Sequence, residues 1–530
     1  MKFIKSSIKE LKNNRWWVLT FLLVLALSQF LIQYRPLIIP TKYLVIALIA
    51  IVILFSTVRL KEKTNLARNT CLIIMILGTV NSLILPIRQG LDENTHFFYS
   101  VQIADGHFFT HDFNQMDYLS MSPNFLAVTQ LPSKPERGDE VNTNLYTNEF
   151  LKIKNQKTDY TKEGVATGVA NPVYYPSALG IAIGRLISPY FFVSYYLGRI
   201  FNLLMFGLLA FFAVKISKKY QLQLFVISLL PYTLWNSAGY NYDTLFYGAV
   251  LLVLAQLTNF IGEEKTVTTQ RMFGYLFSCF IMVFCKAPMA ILALIPFFLP
   301  KEAFATEKVK KQSALISILG LILGLAWIER SQIFNIIRTI TKGGLTASAT
   351  SATDNSNRIN YFLNHPLDTF TMGIRSVFDV LSNIKDSIAQ PQPFLYKVFD
   401  TGSLELFNIL LIGFVLLLVS YRLEIKFPQK LKTVTSLIFI VVTIGIIYAI
   451  SGDSRVFRVG DLNVSGVQGR YHYYILAFVP LFIAQPVQRM FGQNEMIKSE
   501  DYQNRIEQFV VGAVLLMTFI NTCIGLFGYL

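Results

Sequence analysis

The stretch YFFVSYYLGRIFNLLMFGLLAFFAVKISKK, residues 190–219, decides the fold class. Residues 190–214 make an apolar run long enough to cross a bilayer as a helix, which takes about 20 residues. Lys215, Lys218 and Lys219 then close it with a basic edge. Arg199 stands inside the run, about 14 Å deep at the ~1.5 Å rise of a helix. A guanidinium at that depth costs kilocalories unless a partner or a water-filled cavity receives it. It therefore belongs either to a site or to an internal ion pair, with Asp243 the expected partner.

The rest of the chain repeats this pattern. Of 530 residues, 53% are hydrophobic and 15% charged, with a mean hydropathy of +0.47. A soluble chain would carry about 25% charged residues. The 47 Lys and Arg against 32 Asp and Glu leave +15, but no polar face exists to present that charge to nucleic acid. A polytopic membrane protein is expected. Cys71, Cys279, Cys285 and Cys523 all fall in apolar runs, which argues against a disulfide framework or a zinc site. The first run, Trp16–Ile32, has no small-residue cleavage site and is expected as a retained span.

Thirteen apolar runs qualify as spans: 16–34, 42–59, 70–87, 190–214, 222–239, 242–261, 271–285, 287–300, 312–329, 404–421, 433–451, 471–487 and 508–529. The seventh and eighth meet at Lys286-Ala287-Pro288, as two short tilted helices or as one re-entrant hairpin. Lys and Arg in short loops set orientation. The N-terminal Lys2, Lys5, Lys9, Lys12 and Arg15 predict a cytoplasmic start, and every other short basic loop then falls on that side. The chain divides into a three-helix membrane segment (1–87), a long outer loop (88–189), central helices (190–329), a second outer loop (330–403) and C-terminal helices (404–530) ending outside. His96, His107, His111, His365 and His472 all lie on or beside the outer side, so the polar chemistry is expected there. No Walker or Rossmann glycine pattern stands on the inner side to support ATP chemistry.

The first outer loop opens with Asp92-Glu93-Asn-Thr-His96. Asp92 is placed to cap a helix running to about Ala104, with Gly106 just beyond. Phe97, Val101 and Ala104 give that helix an apolar stripe, as for a helix lying along the membrane surface. His96 shares a face with both acids. Such a cluster can abstract a proton from a sugar hydroxyl or hold a divalent cation such as Mg or Mn through Asp92 and Glu93; plain capping needs neither. Lys286 and Arg470 reach the same interface, where a guanidinium suits capture of a lipid phosphate and where snorkelling is the competing account. In the second loop, Gly343–Asn357 is flexible by composition, and His365-Pro366 opens a helical run through Leu381.

The acidic pair followed by an amphipathic helix resembles the first-loop signature of GT-C glycosyltransferases, nearest to protein mannosyltransferases. Asp92-Glu93-Asn-Thr-His96 resembles more closely the D-E-x-x-H motif of the bacterial membrane family called domain of unknown function 2142. Further stretches resemble that family in order: Asn171-Pro172-Val173-Tyr174-Tyr175-Pro176, Leu197-Gly198-Arg199, Asn241-Tyr242-Asp243, Lys286-Ala287-Pro288 and Gln468-Gly469-Arg470-Tyr471. The resemblance runs from about residue 80 to 490. Three spans precede the acidic pair here, where many GT-C enzymes have one.

The resemblance implies inverting transfer of a sugar from a polyprenyl-phosphate donor to a cell-wall glycan, teichoic acid or similar surface polymer. This would take place at the outer face of a bacterial plasma membrane, alongside a donor synthase and a flippase. Asp92 is then the base, Glu93 an alternative base or metal ligand, and His96 an orienting group. Arg199, Lys286, Arg470, Tyr175 and Asp243 would serve the lipid phosphate and substrate. A transporter or flippase for a lipid-linked glycan, or a non-catalytic scaffold in wall assembly, are the alternatives.

Overall fold

The computed structural model describes residues 2–32, 41–60, 65–85, 87, 90–111, 150–155, 166–330, 333, 355–388, 401–453, 456–492 and 499–528. The polar stretch Gln115–Lys162, apart from 150–155, and most of Gly343–Asn357 lie outside these residues.

Helices build the described chain in order: α1 (Lys2–Asn13), α2 (Arg15–Ile32), α3 (Thr41–Thr57), α4 (Leu66–Ile84), α5 (Glu93–Ala104), α6 (Tyr175–Ile187), α7 (Phe191–Ile216), α8 (Gln221–Ser228), α9 (Pro231–Ser237), α10 (Asp243–Gly262) and α11 (Thr269–Cys285). After a 3-10 helix (Ala287–Phe298) come α12 (Glu307–Ile328), α13 (Asn355–Asn364), α14 (Pro366–Asn383), α15 (Thr401–Tyr421), α16 (Gln429–Ile450), α17 (Tyr473–Phe491) and α18 (Glu500–Gly528). One small antiparallel sheet departs from the all-α expectation: β1 (Phe109–His111) pairs with β2 (Ala166–Val169) at the base of the first loop.

Among the described residues, seven helices are long and apolar enough to cross a membrane, and five apolar helices are shorter. Together these twelve helices overlap twelve of the thirteen expected runs, and the run 222–239 is the exception. The run 222–239 divides at Leu229-Leu230-Pro231 into α8 and α9, buried from Leu222 onward. Proline has no N–H to give and holds the residue before it extended; Leu230 sits at φ −58°, ψ 134°. Apolar content alone does not register that break.

The segment 271–300 goes down and back. Tyr275 of α11 donates to the Leu292 carbonyl of the 3-10 helix at 2.8 Å, so the two run side by side with Lys286 at the apex. A 3-10 helix rises about 2.0 Å per residue against about 1.5 Å for an α-helix. Twelve residues therefore return across about the depth that the seventeen of α11 descend.

The basic loops gather at one end of the bundle. Asn14 donates to the Phe55 and Val58 carbonyls, Lys218 pairs with Glu263 at 2.5 Å, Val267 bridges to Phe304, and Arg422 reaches Gln503 at 2.6 Å. The twenty residues of α10 place Asp243 about 30 Å from that end. Between the ends, α7 packs against α4, α6 and α10. A Cβ on Gly180 or Gly184 of α6 would collide with the α7 backbone at Leu197 and Ser194. Small residues at such crossings let helices approach closely where lipid offers no hydrophobic drive.

Candidate functional site

The end of the bundle away from the basic loops collects most of the singled-out residues, in two separate ion-pair groups. Asp92 stands at the N-cap of α5 in the left-handed region, φ 53°, ψ 23°, and makes no side-chain cap hydrogen bond. The expected capping is thus replaced: the carboxylate turns to Arg470 Nη2 at 3.0 Å, while its side chain stays 63% exposed. Aspartate tolerates this backbone region better than most residues, yet it remains uncommon outside glycine.

Glu93, one residue on, is buried instead. Its Oε1 and Oε2 each accept from Arg199, Nε and Nη2, at 2.8 Å. Further hydrogen bonds come from the Tyr240 N–H at 3.2 Å and the Gly90 N–H at 3.1 Å. Arg199 Nη1 donates to the Ser82 and Leu85 carbonyls at 2.9 and 2.5 Å. The partner of Arg199 is therefore Glu93, not the expected Asp243. A forked guanidinium–carboxylate pair with every oxygen bonded is strong and rigid; it welds the start of α5 to α4 and α7. Both Glu93 oxygens are spent, which leaves little of the expected Asp92–Glu93 cation site. Among the described residues no three His, Cys, Asp or Glu side chains come together as a metal would require.

Asp243 belongs to the second group. Asn241 Oδ1 accepts from the Thr244 N–H at 2.9 Å and fixes the start of α10, and Asn202 of α7 donates to the Gly239 and Asn241 carbonyls. Asp243 then pairs with Lys286 Nζ at 2.7 Å and faces Arg470 Nε at 3.4 Å. The Lys286 ammonium is ringed by Tyr471, Tyr242 and Phe246 at 4.1, 4.7 and 5.1 Å, each ring a cation–π partner. Asp92, Arg470, Asp243 and Lys286 thus form one chain of charge, buried at every member but the first. Arg470 Nη1 is buried and makes no hydrogen bond to the described protein.

His96 completes this group. It is 5% exposed, with Nδ1 3.0 Å from the Tyr174 hydroxyl and its ring edge-on to Tyr242 at 5.0 Å. Burial pushes its imidazole down to about 4, the Asp243 carboxylate opposing that fall and the Arg470 guanidinium adding to it. An unfolded histidine titrates near 6.5, so between these values the unfolded chain binds the extra proton and stability falls as pH drops. The full loss is about 3 kcal/mol. Thermal melts in detergent from about pH 7 down to pH 4.5 should show it, and a His96→Gln variant should lose less over the same range. Equal losses in both proteins would remove His96 as the source.

Tyr175 is not brought in. Its ring is 41% exposed and lies edge-on to Phe108 at 6.3 Å. The neighbouring Tyr174 takes the inward place, stacked on Tyr99 at 5.2 Å. Asn171 caps the 3-10 turn Pro172–Tyr174 and reaches the Phe284 carbonyl at 2.8 Å, which settles which ring turns in. Tyr174, Tyr242 and Tyr471 were missed by composition-level reading, although all three lie inside the quoted motifs.

These motifs fall in one continuous region of the chain that a family profile covers. The profile described as Predicted membrane protein (DUF2142) matches residues 72–481, more than three quarters of the sequence. This chain belongs to that family. No curated protein and no solved structure matches it. In this DUF2142 protein the matched region contains every member of both ion-pair groups, while α1 to α3 and α18 lie outside it.

The α5 helix also differs from expectation. Phe97, Phe98, Val101 and Ile103 are all buried, the first three in a cluster with Phe191, Tyr195 and Tyr240, and Ile103 in one with Val173, Tyr174 and Leu245. It is enclosed by protein on several sides, so its apolar stripe serves the fold and not a lipid surface.

Proposed function

We propose that this protein is an integral membrane glycosyltransferase of GT-C type. In this reading it moves a sugar from a polyprenyl-phosphate donor to a cell-surface glycopolymer at the outer face of a bacterial plasma membrane. The observation that carries the reading is the pairing of an exposed carboxylate, Asp92, with the buried Arg470, whose Nη1 makes no hydrogen bond to the described protein. One end of this pair meets water and an incoming hydroxyl; the other offers a positive charge at bilayer level.

In the proposed step Asp92 takes the proton from an acceptor hydroxyl as its oxygen bonds to the anomeric carbon on the face opposite the phosphate. The bond from that carbon to the phosphate oxygen breaks, and its electron pair leaves on polyprenyl phosphate. Arg470 Nη1 supplies a donor to that phosphate, and Lys286 adds charge behind it, since stabilising charge that develops in the transition state is worth most in a site with little water. His96, neutral and held by Tyr174, orients the acceptor beside Asp92. Glu93 and Arg199 act as a brace, positioning α5 without touching substrate. The basic loops at the far end fit the cytoplasmic side.

The test uses purified protein in vesicles with labelled polyprenyl-phosphate sugars and isolated surface polymer. Label should enter the polymer with release of polyprenyl phosphate and inversion at the anomeric carbon. A deletion strain should lose one sugar from its surface glycan. Movement of the labelled lipid across the vesicle without any transfer would instead mark a flippase, and an unaltered glycan would reject both.

A further inference from the structure

Helix α14 meets three environments. Met372, Ser376 and Val380 are buried on one face, where Ser376 Oγ accepts from the Val464 N–H at 3.0 Å. Asp368, Arg375 and Ser382 lie along one flank and are exposed. Opposite the packed face, Leu367, Phe370, Ile374, Phe378 and Leu381 recur at helical spacing and are 80%, 66%, 42%, 67% and 53% exposed. Five large apolar side chains in one row are too many to leave in water on a soluble surface.

The row continues a lipid-facing surface. Its neighbour α16 is long and apolar enough to cross a membrane and exposes Leu437, Ile440, Ile444 and Tyr448 along one side. At the end of that side Phe362 of α13 packs on Tyr448 at 6.4 Å. Arg358 stacks over the Tyr448 ring at 4.5 Å and donates to the Ser451 hydroxyl. An aromatic ring with a stacked guanidinium at a helix end is the usual furnishing of a membrane–water boundary.

We infer that α14 is an in-plane membrane anchor, its apolar row seated among lipid chains at the boundary on the site's side of the bundle. The packed face grips the bundle, the row enters lipid and the polar flank meets water, as for other interfacial helices. The anchor is tied to the site. A Cβ on Gly469 would collide with the Asn383 carbonyl oxygen at the end of α14, so the helix end rests on the backbone immediately before Arg470.

Tryptophan reporters test this in the full chain reconstituted in phosphatidylcholine vesicles. Phe370→Trp and Phe378→Trp change exposed rings, and Asp368→Trp reports on the polar flank. With lipid brominated on the upper chain carbons, the emission added by the first two should fall by roughly half, while soluble iodide leaves it nearly unchanged. Asp368→Trp should respond mainly to iodide. Quenching of the row by iodide alone would place it in water; resistance to both quenchers would mean that protein covers it, whether another segment or a second copy. Either result overturns the inference. The measurement needs no sugar transfer, so it stands or falls apart from the proposed activity.

Discussion

Replacing Asp92 by asparagine should lower sugar transfer by about two to four orders of magnitude, the usual contribution of a positioned general base. Stability should stay near that of the wild type. Asparagine accepts the left-handed backbone at this position as readily as aspartate, and the side chain is mostly exposed. Arg470 keeps Asp243 as a counter-charge. The assay is label transfer from polyprenyl-phosphate sugar by the purified variant, set beside its melting curve and the sugar content of the surface polymer in cells. Wild-type transfer by a well-folded Asp92→Asn protein would remove Asp92 as the base.

Glu93→Gln and Arg199→Gln should behave in the opposite way, harming the fold first. Removing one member of a buried ion pair leaves the other charge uncompensated and costs about 3 to 5 kcal/mol. Both side chains are 0% exposed, so solvent offers no relief. Each single variant should give low yields in membranes and an early melt in detergent. The double variant Glu93→Gln/Arg199→Gln, which leaves no lone charge, should be less damaged than the sum of the singles, because contacting residues couple strongly. Additive losses would show that the pair is not the unit that holds α5 in place.

The two predictions separate two neighbouring acids that look alike in the sequence. Motif spacing places Asp92 and Glu93 side by side, and helix geometry alone puts His96 near both. What divides them is the left-handed turn at Asp92, which sends one carboxylate outward to Arg470 and leaves the next to face Arg199. That turn depends on contacts between residues 378 positions apart, and no local pattern encodes it.

Long apolar runs, by contrast, were legible almost to their ends. Residues 190–214 became Phe191–Ile216, and 242–261 became Asp243–Gly262, because bilayer thickness and helical rise leave few other lengths. The run 222–239 failed since hydropathy averages over Pro231. Tyr174 and Tyr175 could not be told apart in the sequence because one residue on a tight turn rotates a ring from inside to outside. The surface stripe expected on α5 exists on α14 instead; periodicity reports that a helix has an apolar face, but not whether protein or lipid will cover it.

The order of the charges along the chain has a consequence for how the protein is made. Ser82, Leu85, Glu93 and Tyr195, which all receive Arg199, precede it in the sequence. Asp243 likewise precedes Lys286, and both Asp92 and Asp243 precede Arg470. During synthesis, each of these cations thus leaves the ribosome after its anion has already emerged. A growing chain of this design need not store an unmatched positive charge in the bilayer while waiting for a partner still to be translated; the acceptor is laid down first and the cation arrives to close it.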